Sequence, residues 1–248
     1  MGSTFRMAAF INISAYRFTP LENLPALKLS LLDKANALEL KGTVLLSPEG
    51  INVFIAGVAA NVDAFVAELR LLAGLENLTP KKSVSAVQPF GRMRVKIKKE
   101  IIAFGVEGID PARRPAPKLD PRTLKQWLDE GKPILLLDTR NRYEVERGTF
   151  RGAIAADIRH FRDFPNAVRR LPLPVENQPV VLFCTGGIRC EKAGPFMERE
   201  GFQNVFQLEG GILKYFEECG GAHYEGECFV FDERAGVDTA LRPTHTAK

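Results

Sequence analysis

The stretch PVVLFCTGGIRCEK, residues 179–192, places two cysteines, two glycines, an arginine and a lysine directly after an apolar run. The run 180–183 is continuously apolar, which is typical of a strand covered on both faces within a parallel sheet. The loop that starts at Cys184 then leads into a helix that we expect to begin at Glu191. Cys184 therefore lies at the carboxyl end of a strand, where doubly wound sheets bind their ligands.

The same alternation of helices and apolar strands extends on both sides of this stretch. Asp120 is predicted to cap the first helix, which begins at Pro121 and ends at Gly131. Strands are expected at 133–140, 153–158, 179–184 and 204–211, and helices at 121–131, 141–148, 161–171, 191–201 and 212–220. This pattern predicts an α/β domain with a doubly wound parallel sheet.

The loop after the strand has the features of an anion-binding site. Gly186 and Gly187 permit backbone conformations that let N–H groups curve around one centre, with a helix dipole behind them. Arg189 adds a permanent positive charge. The candidate site is Cys184 as the catalytic thiol with a loop of Thr185, Gly186, Gly187, Ile188 and Arg189 around it. This environment is expected to lower the pKa of Cys184 and make it a thiolate.

The spacing Cys-x4-Arg separates two chemistries. Phosphatases use a loop one residue longer to receive a phosphate, whereas the count from Cys184 to Arg189 resembles the tighter rhodanese loop, which receives sulfur. Asp138 and Arg140 end the preceding strand and flank the same edge, and a pair that orders the loops is as good an interpretation as direct catalysis. Cys190 either resolves an oxidised Cys184 or packs the helix start, and packing is favoured.

The remaining cysteines and histidines show no metal-binding spacing. Cys219 and Cys228 are assigned to structure, and His160, His223 and His245 receive no role. No Cys-x2-Cys or His-x3-His pair occurs, so no metal site is predicted. No apolar run has the ~18 residues of a membrane span, and the N-terminus lacks the pattern of a signal peptide. A cytoplasmic location without membrane association is expected.

The first half of the chain has a different pattern. Strands are predicted at 8–18, 41–47, 51–57 and 81–90, and helices at 22–40 and 61–75, the second with Asn61 as its N-cap. The order βαββαβ predicts a ferredoxin-like or acylphosphatase-like α+β sandwich. The expected organisation is this domain over 1–105, a proline- and glycine-rich linker over 106–119, the parallel-sheet domain over 120–222, and a tail over 223–248.

Positive charge is concentrated at the end of the first domain. The segment 81–118 has ten basic and three acidic residues, a local charge of +7 in a chain of net +4. A polyanion-binding surface requires such a concentration, although a solvated edge strand over 92–99 is an equally good interpretation. The candidate residues for such a surface are Lys81, Lys82, Arg92, Arg94, Lys96, Lys98, Lys99, Arg113 and Arg114, and Lys118 completes the count.

Six motifs resemble the rhodanese-like tRNA uridine-34 hydroxylase family. They are LLSPEGINVFIAG (45–57), RVKIKKEIIAFG (94–105), DTRNRYEVERGTFRGAI (138–154), FRDFP (161–165), CTGGIRCEKAG (184–194) and YEGECFVFDER (224–234). The resemblance covers nearly the whole chain and implies oxygen-dependent formation of 5-hydroxyuridine at the wobble position. It also implies that Cys184 is the persulfide-forming position. Longer family members continue into a cysteine-rich carboxyl-terminal segment that is not present among these 248 residues.

Three functions remain to be compared. The leading one is a tRNA hydroxylase that holds the anticodon arm, with O2 as co-substrate and no organic cofactor identified; aromatic rings that could grip bases are Phe90, Phe104 and Tyr143. In this hypothesis Cys184 adds to uridine C6 and makes C5 electron-rich. The alternatives are a sulfurtransferase that moves sulfane sulfur through Cys184, and a non-catalytic adaptor, which the intact Cys-x4-Arg loop disfavours.

Overall fold

A computed structural model of the chain describes residues 10–171, 178–231 and 234–244. The chain divides between Ile101 and Ile102 into two units, and each is described by itself. The division falls four residues before the expected boundary at 105. Residues 106–119, the expected linker, lie within the second unit and contribute a strand to its sheet.

The described part of unit 1, residues 10–101, has a five-stranded sheet and two helices. Its elements are β1 (Phe10–Phe18), α1 (Leu24–Ala37), β2 (Lys41–Ser47), β3 (Gly50–Gly57), α2 (Ala59–Arg70), β4 (Lys81–Ser85) and β5 (Met93–Ile97). The strand order is β4-β1-β3-β2-β5. The first four strands pair antiparallel in the order of a ferredoxin-like sandwich, which confirms the predicted fold, and β5 adds in parallel to β2.

Alternation along the strands of unit 1 explains its core. Val53 of β3 pairs with Val44 of β2 across the sheet. Both pack in one buried cluster with Ile13 of β1 and Phe65 of α2. β5 alternates as predicted, with Val95 buried between exposed basic residues, but it ends at Ile97 rather than Lys99. The prediction for α2 was wrong at its start. The helix begins at Ala59, and the amide of Asn61 donates to the carbonyl of Leu38 (2.8 Å) instead of capping it.

Unit 2, residues 102–248, contains the parallel sheet. Its elements are β6 (Lys118–Leu119), α3 (Pro121–Asp129), β7 (Leu135–Asp138), α4 (Arg142–Val145), β8 (Gly148–Phe150), β9 (Ile154–Ala155), a 3-10 turn (Phe161–Asp163), α5 (Phe164–Val168), β10 (Val180–Phe183), α6 (Ile188–Arg199), β11 (Val205–Leu208), α7 (Gly211–Cys219), β12 (Tyr224–Gly226), β13 (Cys228–Phe229) and β14 (Gly236–Val237). The sheet has the order β6-β11-β10-β7-β9, with every pairing parallel.

The two faces of this sheet are both covered. Val180 and Leu182 pack in a cluster with Phe196 of α6, whereas Val181 and Phe183 pack in another cluster with Tyr215 of α7. Successive residues of one strand therefore serve opposite cores, which explains why β10 is apolar at every position. The predicted doubly wound arrangement is confirmed. α3 begins as predicted, because the carboxylate of Asp120 accepts the N–H groups of Arg122 (2.9 Å) and Thr123 (3.3 Å).

The expected tail is mostly part of unit 2. β12 pairs antiparallel with β8, and β13 pairs with β14. Tyr224, Cys228 and Val237 are buried against the cluster that contains α7. His245 and the three residues after it lie outside the described residues. Within the described part of the chain, none of the helices combines the length and apolar composition that a membrane span requires.

Candidate active site in the parallel-sheet unit

Cys184 follows β10 directly, and its sulfur is enclosed by the loop that starts there. The Gly187 N–H donates to Sγ of Cys184 (3.1 Å), and Gly187 has φ 100°, which a glycine adopts without strain. α6 begins at Ile188, three residues before the predicted start at Glu191. The first turn of the helix is therefore part of the loop and directs its N–H groups towards the sulfur.

The start of α7 supports this loop from behind, which the sequence analysis missed. The N–H groups of Ile212 and Leu213 donate to the carbonyls of Cys184 (2.9 Å) and Thr185 (3.1 Å). Gly211 has φ 65°, and a Cβ there would overlap the carbonyl of Cys184 and lie 2.8 Å from that of Thr185. The available signal was the doublet Gly210-Gly211 directly after an apolar strand.

The pKa of Cys184 lies well below its ordinary value. Burial opposes ionisation, but the thiol of Cys190, the charge of Arg189 and the N–H groups of Arg189 and Gly187 together outweigh it. These donors stabilise a thiolate, which is the nucleophilic form of cysteine. That the loop binds an anion at its centre stays a prediction.

Cys190 interacts with Cys184 through its side chain and is not only a packing residue. Burial and the charge of Cys184 raise the pKa of Cys190 well above its ordinary value, so it keeps its proton. The hydroxyl of Thr139 lies 3.7 Å from Sγ of Cys190 and donates to the carbonyl of Phe183 (3.0 Å). Thr139 and Cys190 thereby connect the ends of β7 and β10 around the sulfur.

A buried carboxylate that the sequence analysis missed holds Arg189. The guanidinium of Arg189 donates to both oxygens of Glu144, at 2.6 and 2.8 Å. Glu144 also accepts from the hydroxyl of Thr185 (3.3 Å) and from the N–H of Asn141 (3.1 Å). Burial raises the pKa of Glu144, but Arg189 more than compensates, and the net shift is downward. The sequence signal was the capping box Asn141-x-x-Glu144.

Asp138 and Arg140 form a second, completely buried ion pair. Arg140 donates to both carboxylate oxygens of Asp138, with the shortest distance 2.6 Å, and to the carbonyl of Gly148 (2.6 Å). Thr149 donates to Asp138 (2.8 Å), and the hydroxyl of Tyr224 donates to Gly148 (2.8 Å). These are the contacts of a pair that links β7, β8 and β12 and so orders the loops.

The sulfur of Cys184 is inaccessible in this conformation, since the residue has no exposed surface. Part of the carboxyl-terminal segment lies against the loop. Cys228 interacts with the side chain of Thr185, and burial raises its pKa to about 12, so it is a neutral thiol. Phe231 lies over Arg189, with 5.8 Å between the guanidinium carbon and the ring centroid.

The three aromatic side chains that were predicted to hold RNA bases differ in how far they are exposed to solvent. Phe104 is a core residue that stacks on Phe161 (4.9 Å between centroids), which corrects its assignment as a candidate RNA contact. Phe90 is half-buried in unit 1. Tyr143, by contrast, is exposed on α4 next to Glu144.

The basic residues concentrated in 81–118 belong to both units, and those on the strands of unit 1 lie at two different edges of its sheet. Lys81 and Lys82 lie on β4 and Arg94 and Lys96 on β5, at opposite edges of the sheet. Lys82 pairs with Asp63 (2.7 Å). Arg113, Arg114 and Lys118 belong to unit 2, where Arg113 pairs with Asp110 (3.5 Å) and Lys118 with Glu191 (3.6 Å).

One group of basic residues is exposed and clustered along β5. We call it the β5 cluster, and it consists of Arg92, Arg94, Lys96, Lys98 and Lys99. Within residues 10–171, 178–231 and 234–244, no acidic side chain forms an ion pair with any of the five. The described residues also contain no group of three or more histidine, cysteine, aspartate or glutamate side chains suited to a metal ion.

A parallel sheet with a cysteine loop at its carboxyl edge, preceded by a ferredoxin-like sandwich, defines a two-domain protein of the rhodanese class. Family models agree: residues 10–101 match the UPF0176 acylphosphatase-like domain, and residues 120–218 match the rhodanese-like domain. The rhodanese-like domain of an Anabaena sp. protein is 26% identical, covers 44% of this chain and 79% of that chain, and has a TM-score of 0.37.

Full-length relatives give a narrower assignment. The tRNA uridine(34) hydroxylase of Bordetella petrii is 50% identical over 242 residues, which are 96% of each chain. That of Variovorax paradoxus is 51% identical over 247 residues, covering 98% of this chain and 92% of the relative. This chain belongs to the tRNA uridine(34) hydroxylase family.

Proposed function

We propose that this chain hydroxylates uridine 34 of tRNA to 5-hydroxyuridine, with Cys184 as its nucleophile. Membership of a family of tRNA hydroxylases supports the reaction. The observation that carries the role of Cys184 is its sulfur, which receives the Gly187 N–H and the Cys190 thiol and has a lowered pKa. A cysteine held as a thiolate is suited to attack an electron-poor carbon.

The proposed reaction consumes one O2 and two electrons for each uridine. The thiolate of Cys184 adds to C6 of the uracil ring, and the electron pair of the C5–C6 double bond moves to C5. C5 then bonds to one atom of O2, while two electrons and two protons from an external reductant convert the other atom to water. Loss of the C5 proton expels the thiolate and restores the double bond. The enzyme supplies the nucleophile and its orientation.

Access to the sulfur requires movement. Because Cys184 is fully buried, a uracil ring reaches it only after covering residues separate from the loop. The segment that contains Cys228 and Phe231 lies against Thr185 and Arg189 and is part of this cover. Closure over the bound base would then exclude water from the reacting sulfur.

The β5 cluster is the proposed electrostatic contact for the anticodon arm of tRNA. Arg94 and Lys96 lie two residues apart on the edge strand β5, so their side chains are about 6.7 Å apart on one face, and the exposed Arg92, Lys98 and Lys99 flank the strand. A row of cations on this scale suits successive phosphates of an RNA strand. Lys81, Lys82, Arg113 and Arg114 remain secondary candidates, since Lys82 and Arg113 already pair with carboxylates. A cytoplasmic location is proposed, because the substrate is tRNA.

The test is nucleoside mass spectrometry of tRNA incubated with protein, O2 and a reductant. Wild-type protein should form 5-hydroxyuridine, and Cys184→Ser should form none while it still binds tRNA. Cys219→Ser serves as the control because Cys219 lies at the end of α7, away from the loop contacts. Full hydroxylation by Cys184→Ser would contradict the nucleophilic role, and no product from wild-type protein would contradict the proposed reaction.

Sulfur transfer is the second candidate function. The Cys-x4-Arg spacing and the N–H donation to Sγ of Cys184 also suit a persulfide, whose terminal sulfur is anionic. The test is thiocyanate formation from thiosulfate and cyanide. Activity that depends on Cys184 in protein that makes no 5-hydroxyuridine would favour this candidate.

A further inference from the structure

Three aromatic rings form a row on unit 2 beside the candidate active site. Tyr143 contacts Phe229 edge-on (5.2 Å between centroids), and Phe229 contacts Phe231 in the same manner (5.2 Å). The two outer rings are exposed, with 43% of the Tyr143 surface and 46% of the Phe231 surface open to solvent. We call these three residues the aromatic row.

The exposure of the row is unusual within this chain. Among the described phenylalanine, tyrosine and tryptophan side chains, those of Tyr143 and Phe231 are the most exposed to solvent, and Phe229 connects them. The two outer rings, Tyr143 and Phe231, belong to two segments that are far apart in sequence. An exposed ring is costly in water, so two of them in one continuous row indicate a binding surface rather than a core.

The row borders the cysteine loop on two sides. Phe231 lies over the guanidinium of Arg189, which belongs to the loop. Tyr143 precedes Glu144, the carboxylate that holds Arg189, and its hydroxyl accepts from the amide of Asn141 (3.2 Å). A ligand stacked on the row therefore lies next to the residues that enclose Cys184.

Positive charge lies on a segment that runs alongside α4, the helix of Tyr143. Ile158 pairs with Asn141 in an isolated bridge, and the N–H of Arg142 donates to its carbonyl (2.8 Å), so the segment after β9 runs alongside α4. That segment contains Arg159 and Arg162, both exposed and neither in an ion pair within the described ranges. An exposed ring on α4 together with unneutralised guanidinium groups on the neighbouring segment suits a strand that has both bases and phosphates, and not an apolar peptide.

We propose that the aromatic row stacks unpaired bases of the anticodon loop next to uridine 34, while Arg159 and Arg162 contact the adjoining phosphates. This inference rests on the proposed function, because it takes tRNA as the substrate. Unstacked loop bases are commonly held on aromatic side chains, and every base offers a ring face for this contact. The row positions the RNA and takes no part in the chemistry at Cys184.

The first experiment measures steady-state hydroxylation of an anticodon stem–loop RNA by Tyr143→Leu and Phe231→Leu. Each should raise KM for the RNA about ten-fold, the typical value of one base–ring stack, and Tyr143→Leu, which lies outside the covering segment, should also leave kcat within about three-fold. Trp127→Leu is the control, since Trp127 is a half-buried ring that packs on Phe206. Unchanged KM in both row variants, or an equal rise in the control, would overturn the proposal.

The second experiment measures RNA binding in the absence of hydroxylation, so its result does not depend on whether the proposed reaction takes place. The chain has one tryptophan, and Trp127→Phe combined with Phe231→Trp places the only indole in the row. The stem–loop RNA should quench its fluorescence, and RNA that lacks the bases at positions 33 and 35 should bind with little quenching. Equal quenching by both RNAs would contradict stacking even if the protein forms 5-hydroxyuridine. Base-dependent quenching by a protein without hydroxylase activity would support stacking and contradict only the reaction.

Discussion

Glu144 and Arg189, which are 45 residues apart in sequence, form a bidentate ion pair with N–O distances of 2.6 and 2.8 Å. Both side chains are buried. The pair joins the short helix α4 to the first turn of α6, which encloses Cys184. The charge of Arg189 is thereby balanced within the protein. Arg189 acts on Cys184 through its field and its N–H group and holds the shape of the loop.

Removing the carboxylate should destabilise unit 2. Glu144→Gln leaves the guanidinium of Arg189 buried without a counter-charge, and breaking such a pair typically costs about 3–5 kcal/mol. Urea denaturation measures the change in the free energy of unfolding. Asp157→Asn is the matched control, because it removes a carboxylate from the solvent-exposed pair with Arg142 and should change stability little. Equal effects of the two substitutions would contradict a special role for the buried pair.

The same carboxylate predicts a pH dependence. The pKa of Glu144 in the folded protein is lower than its ordinary value of 4.5, since Arg189 favours the charged form. Because the pKa of this carboxyl is lower in the folded protein than in the unfolded chain, its ionisation contributes stability that is fully present at pH values above the unfolded-state pKa. This stability is lost as pH falls below about 4.5. Thermal melts from pH 7 to pH 3 should therefore show a smaller acid loss in Glu144→Gln than in wild type. Parallel curves for both proteins would refute this.

Cys190 should control the ionisation of Cys184. Cys190→Ala removes a donor to the thiolate, so the pKa of Cys184 should rise, whereas Cys190→Ser keeps a donor and should give an intermediate value. The measurement is the rate of iodoacetamide labelling of the Cys184 peptide against pH, followed by mass spectrometry. The midpoint should move to higher pH in Cys190→Ala and stay in place in the control Cys219→Ala. An unmoved midpoint in Cys190→Ala would show that the thiol contact is unimportant.

Gly211 should tolerate no side chain. Gly211→Ala places a Cβ against the carbonyls of Cys184 and Thr185, in addition to the cost of a positive φ. Gly131 is the matched control, since its φ is 64° against 65° at Gly211 and no atom lies within 4 Å of the added Cβ. Gly131→Ala should cost about 1–2 kcal/mol in chemical denaturation, from the backbone alone. Gly211→Ala should cost clearly more and also lower hydroxylation, and a cost equal to that of the control would refute the contact.

The β5 cluster should account for most of the salt dependence of RNA binding. Arg94→Ser combined with Lys96→Ser should weaken binding of the anticodon stem–loop and reduce the slope of log K against log salt by about 0.7 per lost phosphate contact. Arg113→Ser combined with Arg114→Ser removes the same charge from unit 2. Fluorescence anisotropy at several salt concentrations compares them. A larger effect of the Arg113 and Arg114 pair would move the RNA contact away from β5.

Local patterns allowed much of the fold and the centre of the site to be predicted. Three signals are set by residues that are close in sequence: continuous apolar runs, period-two alternation and glycines after strand ends. These local signals therefore predicted both sheets and the position of Cys184. Element limits were less accurate. α6 starts at Ile188 because the positive φ of Gly187 lets the helix begin inside the loop, and tertiary contacts with α7 complete that geometry.

The sequence by itself determined the order of the elements and a Cys-x4-Arg loop that favours an anion, because backbone preference and hydrophobic period act over a few residues. Tertiary structure decided which distant groups meet that loop. It brought Glu144 to Arg189 and Tyr143 to Phe229, since the loops after separate strands converge at one edge of the sheet. It also divided the basic segment, because sheet pairing placed β4 and β5 at opposite edges although they are neighbours in sequence.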